Sequence, residues 1–293
     1  MNILVTGGAG FIGSNLVDRL IEQGHAVTCL DINPHGYWNE SAKNYIGDIC
    51  NHTLVYDLMK DIDYVFHLAA DVRIQDAILN PIHCYETNVL GTVNLLEAAR
   101  NNNVKNFVFS STSAVYACDH MVQSEDSKLL VTLNPYASSK YSGENLCRMY
   151  SKLYGLHTTI LRYFNVYGNR QHDTGQYAPV LGVFTKQKQQ GIPLTVTGDG
   201  SQRRDFVNVL DVVRANISAA ENNKTSAEVY NIGSGNNYSI DEIARMVSSD
   251  IVYVPERLGE VHCTKAIIVK AKVKLNWEPV FVSLNENSNV FLV

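Results

Sequence analysis

Ile3-Leu4-Val5-Thr6-Gly7-Gly8-Ala9-Gly10-Phe11-Ile12-Gly13 stands at the start of the chain, and its reading decides the fold. The apolar run predicts a buried strand over 2–6, and the helix-period pattern from Phe11 predicts a helix over 11–23. Between them Gly7, Gly10 and Gly13 mark a turn whose backbone must lie bare. Such a turn lets amide groups and the positive end of a helix approach a pyrophosphate. A glycine triplet alone is a common turn composition; the flanking strand and helix give it weight. Asp31 ends the next apolar run, roughly 20 residues beyond, where a carboxylate can hold both ribose hydroxyls of a dinucleotide. It would repel a 2′-phosphate, and no arginine stands nearby to receive one, so NAD is expected over NADP.

Outward from this turn, apolar β-branched runs at 26–31, 63–67, 105–110 and 157–163 alternate with helical patterns at 81–102 and 135–154. Asn134 is placed to cap the last helix, with Pro135 in its first turn, where a missing N–H costs nothing. This order implies an α/β, Rossmann-type, doubly wound and mostly parallel sheet covered on both faces. Past residue 165 the pattern loosens. Gly191-Ile-Pro193 and Gly198-Asp-Gly200 interrupt it, and a helix at 209–221, a strand at 228–232 and a helix at 239–248 follow. The expected division is a dinucleotide-binding domain at 1–165 and a smaller α/β substrate-binding lobe at 166–293, interleaved with the first.

Composition narrows the partners. A net charge of −5 over 293 residues gives no support for nucleic-acid or anionic-membrane binding. An anionic substrate would need a local cluster of arginines. No apolar run approaches the roughly 18 residues of a membrane span. The six cysteines are scattered without a Cys-x-x-Cys pair, which argues for reduced thiols and against a metal site or disulfide framework. With no secretory pattern at the N-terminus, a cytoplasmic protein is expected.

Tyr136-Ala-Ser-Ser-Lys140 carries the chemistry. Its two ends lie four residues apart on one helix face. A free phenol titrates near pH ~10. A neighbouring ammonium, with the charge of an oxidised nicotinamide, would stabilise the phenolate and make Tyr136 a general base. Lys140 could also bind the nicotinamide ribose. Ser110-Ser-Thr-Ser113 ends a strand and offers a hydroxyl to position the reacting oxygen, though spacing does not single one out. Near other strand ends, Asp48 could meet an adenine amine with Ile49 against the ring, and Ala69 and Ala70 would let the dinucleotide approach. His67 reads as a packed strand residue.

Together these motifs resemble the extended short-chain dehydrogenase/reductases of the nucleotide-sugar epimerase/dehydratase family, and within it the 4-epimerases of UDP-glucose and UDP-galactose. Asn88-Val-x-Gly-Thr92, Ser110–Tyr116, Asn134-Pro-Tyr-x-x-x-Lys140, Arg162-Tyr-Phe-Asn-Val-Tyr-Gly168 and Gly198-Asp-Gly-x-x-x-Arg-Asp-Phe206 stand in family order. The resemblance implies that Thr112 is the catalytic hydroxyl beside Tyr136 and Lys140. It places Phe11, Ile12, Ile32, Asn33, Asp48, Ile49, Leu68, Thr87, Ser110, Tyr163, Phe164 and Val166 on NAD. Asn165, Arg204 and Arg257 are assigned to the nucleotide diphosphate, where arginine forks suit phosphate oxygens. The implied cycle removes the 4-hydroxyl proton through Tyr136 and hydride from C4. The 4-keto sugar then turns, and hydride returns to its opposite face.

A homodimer through a four-helix bundle of 81–102 and 135–154 is implied as well. Sugar 4,6-dehydratases carry Asp-Glu after the catalytic Thr, and decarboxylases usually keep the Glu; Ser113 and Ala114 disfavour both. The chain departs from the family pattern at Ala117, at Leu258 and in a short, polar C-terminus. The alternatives are an epimerase of an N-acetylated hexose or of UDP-glucuronate, a decarboxylase, and a non-catalytic NAD-binding sensor.

Overall fold

The computed structural model describes residues 1–116, 122–127, 129, 132–171, 180–222, 226–256 and 261–284. Strand and helix alternate from the first turn: β1 Asn2–Thr6, α1 Phe11–Glu22, β2 Ala26–Asp31, β3 Lys43–Ile46, α2 His52–Leu58, β4 Tyr64–His67, α3 Ile74–Leu79 and α4 Pro81–Tyr85. A π-helical turn at Glu86–Leu90 leads into α5 Gly91–Asn101, followed by β5 Asn106–Thr112, α6 Pro135–Tyr154 and β6 Thr158–Tyr163. The remainder comprises β7 Asn165–Tyr167, α7 Val180–Gln189, β8 Leu194–Thr197, β9 Arg203–Arg204, β10 Phe206–Asn208 and α8 Val209–Glu221. β11 Glu228–Ile232, β12 Tyr238–Ser239, α9 Ile240–Val247, β13 Ile251–Val254 and α10 Val269–Lys274 complete it.

The central sheet has seven parallel strands in the order β11-β6-β5-β4-β1-β2-β3. Successive strand residues point to opposite faces, so β1 splits its apolar side chains. Ile3 and Val5 join Leu16, Val17 and Leu20 of α1 and Val212 of α8, whereas Leu4 joins Leu95 and Leu96 of α5 and Cys147 of α6. The strand order reverses between β1 and β4, and in an open α/β sheet ligands bind beside such a reversal, at the carboxyl ends of the strands.

The second half of the chain does not fold apart from the first. β11 extends the sheet beside β6, and α8 packs on α1. Between and after these elements, α7, α9 and β8 enclose a smaller core around Phe184, Val196 and Ile243. The described end of the chain docks on α8: Trp277 donates to the Asp211 carbonyl (2.9 Å), and the Asp211 carboxylate accepts from the Val280 and Phe281 amides. The polar C-terminus noted above, 285–293, lies outside the described residues, as does Ala117. Among the described residues no helix is long and apolar enough to cross a membrane.

Asn134 caps α6 as expected, accepting from the Ala137 amide at 2.8 Å. The helix expected over 81–102 is interrupted by the π turn, from which the buried Asn88 side chain bridges the loop after β4 and helix α6. Short elements such as β3, α3 and β9 were not legible, since two to six residues carry too little periodicity.

Candidate active site

The glycine turn is shaped by close backbone approach. Gly7 has φ +68°, and a Cβ there would lie 2.6 Å from the Ala69 nitrogen. A Cβ on Gly13 would meet the Gly7 carbonyl at 2.1 Å. Side chains at either position would therefore fill the cradle in front of α1. Asp31 stands beside it, with Oδ2 accepting from the Ala9 amide (3.1 Å) and Oδ1 from the Asn33 amide (2.9 Å). Ile32 and Asn33 are exposed next to it; Phe11 and Ile12 begin α1 and are half-buried.

The other expected cofactor positions line the same end of the sheet. Asp48 is exposed, with one carboxylate oxygen accepting from the Cys50 amide (2.8 Å). Ile49 is buried, its side chain packed towards Gly91. Leu68, Ala69 and Ala70 follow β4, and Thr87 lies half-buried on the π turn. The side chains of Ser110 and Tyr163 are committed to each other at 3.0 Å, with Tyr163 also donating to Asn216 (2.8 Å). Phe164 is buried against Tyr116, and Val166 lies half-buried on β7. His67 is fully buried between Thr6 (2.8 Å) and Thr92 (2.9 Å), and burial holds its ring neutral.

Thr112 and Tyr136 meet hydroxyl to hydroxyl. The neighbouring serines are occupied elsewhere: Ser110 with Tyr163, and Ser111 donating to Glu144 at 2.6 Å. Geometry thus favours Thr112 where spacing was silent. Burial pushes the Tyr136 phenol up to about 12, against the pull of Thr112. Lys140 is buried with its ammonium 4.9 Å from the centre of the Phe109 ring, and burial draws it down to about 8. Desolvation is the largest influence on the Tyr136 phenol, and the Thr112 hydrogen bond works against it.

The sequence also missed what holds these groups. Glu144, one turn beyond Lys140, accepts two bonds from Arg162 (2.8 and 2.7 Å) and one from Ser111, all buried. The signal was present: Tyr136, Lys140 and Glu144 recur every four residues as a polar stripe on α6, whose matching face is the sheet.

Across the cleft, Asn165 donates to the Asp205 carbonyl (3.1 Å) and Thr264 (3.4 Å), and Arg204 to the carbonyls of Arg203 and His262. The buried Asp205 carboxylate gathers the amides of Ser234, Gly235 and Ala266, and so fixes the loops around Asn165. Arg257 lies outside the described residues.

The sequence profile of the NAD-dependent epimerase/dehydratase family matches residues 3–233. The chain belongs to that family.

Its relatives span several sugar chemistries. A UDP-N-acetyl-alpha-D-glucosaminuronate decarboxylase of Bacillus cytotoxicus is 40% identical, over 86% of this chain and 83% of its own. The UDP-glucose 4-epimerase of Thermotoga maritima, solved with UDP-glucose, superposes with a TM-score of 0.94 at 37% identity, covering 100% of this chain and 97% of that one. A mutant UDP-glucuronic acid 4-epimerase of Bacillus cereus, solved with a fluorinated UDP-sugar and NAD, gives 0.86 at 35% identity, with coverage of 96% and 94%. The family is NAD-dependent, and the glycine cradle with Asp31 fits that dinucleotide.

Proposed function

We propose that the protein is a UDP-sugar 4-epimerase interconverting C4 epimers, with UDP-glucose and UDP-galactose or their N-acetylated forms as substrates. The observation that carries this is the contact of Thr112 with Tyr136 at the end of β5, next to the dinucleotide cradle. Ser113 and Ala114 follow Thr112 in place of the acid pair that dehydration needs, and Ala114 also lacks the glutamate usual in decarboxylation. A buried phenol hydrogen-bonded by Thr112, one helical turn from a buried lysine, has no use in a non-catalytic NAD sensor.

Gly7, Gly10 and Gly13 would hold the pyrophosphate and Asp31 the adenine ribose, with Lys140 on the nicotinamide ribose. NAD bound there supplies a hydride acceptor and, later, a donor. Thr112 orients the sugar 4-hydroxyl against Tyr136. Tyr136 takes that proton as phenolate and returns it to the same oxygen once the configuration at C4 is inverted, so the sugar ends without net oxidation. The phenol becomes acidic enough only when a positive ring sits near it, because burial alone keeps it protonated. Asn165 and Arg204 would hold the diphosphate while the sugar turns.

The test is NMR of the sugar products after incubation with UDP-galactose or UDP-N-acetylgalactosamine. Conversion to the C4 epimer, abolished in Tyr136→Phe, supports the proposal. Release of carbon dioxide from a UDP-hexuronate with no epimer of any UDP-sugar refutes it.

The same reading includes a homodimer. Helices α3, α4 and α6 pack on one another, yet Leu79, Ile82, Leu90 and Leu153 are 79%, 70%, 51% and 64% exposed. Exposed leucines on adjacent helices fit a second copy closing over them into a four-helix bundle.

A further inference from the structure

His67 closes β4 with a ring sealed from solvent between Phe107 and Phe109, whose ring centres lie 5.8 and 5.6 Å away. Both of its nitrogens meet hydroxyls: Nδ1 lies 2.8 Å from Thr6 Oγ1, and Nε2 lies 2.9 Å from Thr92 Oγ1. A threonine hydroxyl has one proton to give. Thr92 gives its own to the Asn88 carbonyl at 2.6 Å, so it can only accept from the ring. Nε2 therefore carries the hydrogen, and the neutral imidazole leaves Nδ1 bare to accept from Thr6. The Thr6 oxygen accepts in turn from the Ala69 amide at 3.4 Å. From Ala69 to Asn88 every proton points the same way.

The two ends of this chain lie at the cradle and at the helix of the reacting residues. At the first, the ladder between β1 and β4 stops where the Leu68 amide donates to the Thr6 carbonyl (3.0 Å). The Thr6 hydroxyl takes the next amide, that of Ala69, whose nitrogen a Cβ on Gly7 would strike at 2.6 Å. At the other end the Asn88 side chain donates to Ser139 Oγ (2.9 Å), and that hydroxyl donates to the Tyr136 carbonyl (2.8 Å). Thr6, His67, Thr92 and Asn88 are all buried, where a donor or acceptor that loses its partner finds no ready substitute. An apolar ring would pack between Phe107 and Phe109 as well. Only an imidazole, with a donor on one edge and an acceptor on the other, joins these two hydroxyls.

We infer that His67 is a positioning residue for the dinucleotide: as its Nε2–H tautomer it locks the Ala69 backbone against the glycine turn and ties that floor to the helix bearing Tyr136. It acts through Thr6 and Ala69, not through the reacting atoms. The Lys140 ammonium, packed on the same Phe109 ring, further disfavours a charged imidazole there. The inference rests on the proposed cradle, in which Gly7 and Ala69 flank NAD.

Nitrogen-15 NMR of the cofactor-free protein should show His67 with Nε2 protonated and Nδ1 bare, unchanged from about pH 8 to about pH 6, where a free imidazole takes up a proton. A hydrogen on Nδ1 overturns the inference. Thr92→Val keeps the volume and removes the hydroxyl, and NAD⁺ affinity by calorimetry should fall about three- to tenfold, the worth of one hydrogen bond. Thr92→Ser should stay within about twofold of wild type. Thr6→Val should lose affinity as Thr92→Val does, and the double variant little more than either, because one chain is cut twice. Leu156→Ala, just before β6 at the opposite end of the sheet, should lower the unfolding midpoint and leave NAD⁺ affinity alone. Unchanged affinity in Thr92→Val overturns the inference, as do two single losses that add in full. Gly7→Ala tests the cradle itself: wild-type affinity there sinks both readings, whereas loss there with none in Thr92→Val sinks the role of His67 alone. Should Thr92→Val not fold, Thr6→Val carries the same comparison.

Discussion

Glu144 grips Arg162 with both carboxylate oxygens, at 2.8 and 2.7 Å, and both side chains are sealed from solvent. Glu144 lies one helical turn past Lys140, Arg162 lies on β6, and Ser111 beside Thr112 donates to the same carboxylate. The pair thus sets helix α6 against the two strands that carry the rest of the site.

Removing Glu144 leaves the buried Arg162 guanidinium without its carboxylate partner. Glu144→Gln should cost about 3–5 kcal/mol of unfolding free energy in a denaturant titration. Replacing both by apolar residues of similar size should cost much less. A loss below about 1 kcal/mol in Glu144→Gln would show that the pair does not anchor the helix.

Replacing the buried Lys140 should stabilise the chain, as commonly happens where a site holds a desolvated charge. The folded chain lowers it from 10.5 to about 8, so at pH 7 the buried ammonium is a cost. Between these two values the unfolded chain still holds a proton that the folded chain has shed, so this group makes stability rise with pH. Lys140→Met should be about 2–3 kcal/mol more stable than wild type at pH 7, the difference vanishing towards pH 10.5. NAD binding and turnover should fall in the same variant. Chemical unfolding of both proteins across pH 7–10.5 checks the sign.

The Tyr136 phenol, held up to about 12 by burial, should stay protonated at pH 9 in the cofactor-free protein. Adding NAD⁺ should shift its titration downward, visible as a phenolate absorbance change lost in Tyr136→Phe. The same variant should lose about 10²–10⁴ in kcat. A phenol that already titrates near neutrality without NAD⁺ would contradict the desolvated site.

Asp31→Ala removes a charged acceptor from the Ala9 amide and, on the proposed reading, from the adenine ribose of NAD. NAD⁺ affinity should drop about ten- to a hundredfold, as loss of hydrogen bonds to a charged group implies. Fluorescence titration measures it, and an unchanged dissociation constant would remove Asp31 from the site.

Leu90→Asp and Leu153→Asp should each yield a species near 33 kDa in light scattering at micromolar concentration, against twice that mass for wild type. A monomeric wild type would leave the exposed leucines without the partner proposed for them.

Several elements were open to reading in one dimension because their signals are local. The strand–glycine–helix opening needs only neighbours in sequence, and Asn134-Pro135 caps α6 within one turn. The pairing of Tyr136 with Lys140 follows from helical spacing. His67, by contrast, looks like a packed strand residue until Thr6 and Thr92 are seen to bond both of its nitrogens. Asp205 looks like a surface acid after two arginines until three distant amides converge on it.

What the sequence determined by itself was the parallel α/β architecture, the glycine turn before the first helix and the shared helix face of Tyr136 and Lys140, since periodicity, backbone freedom and residue chemistry are written locally. The tertiary structure alone decided that burial raises the Tyr136 phenol and lowers Lys140, and that Ser110 and Ser111 are occupied elsewhere. Those depend on desolvation and on contacts between residues far apart in the chain, and neither quantity exists until the sheet and its helices close.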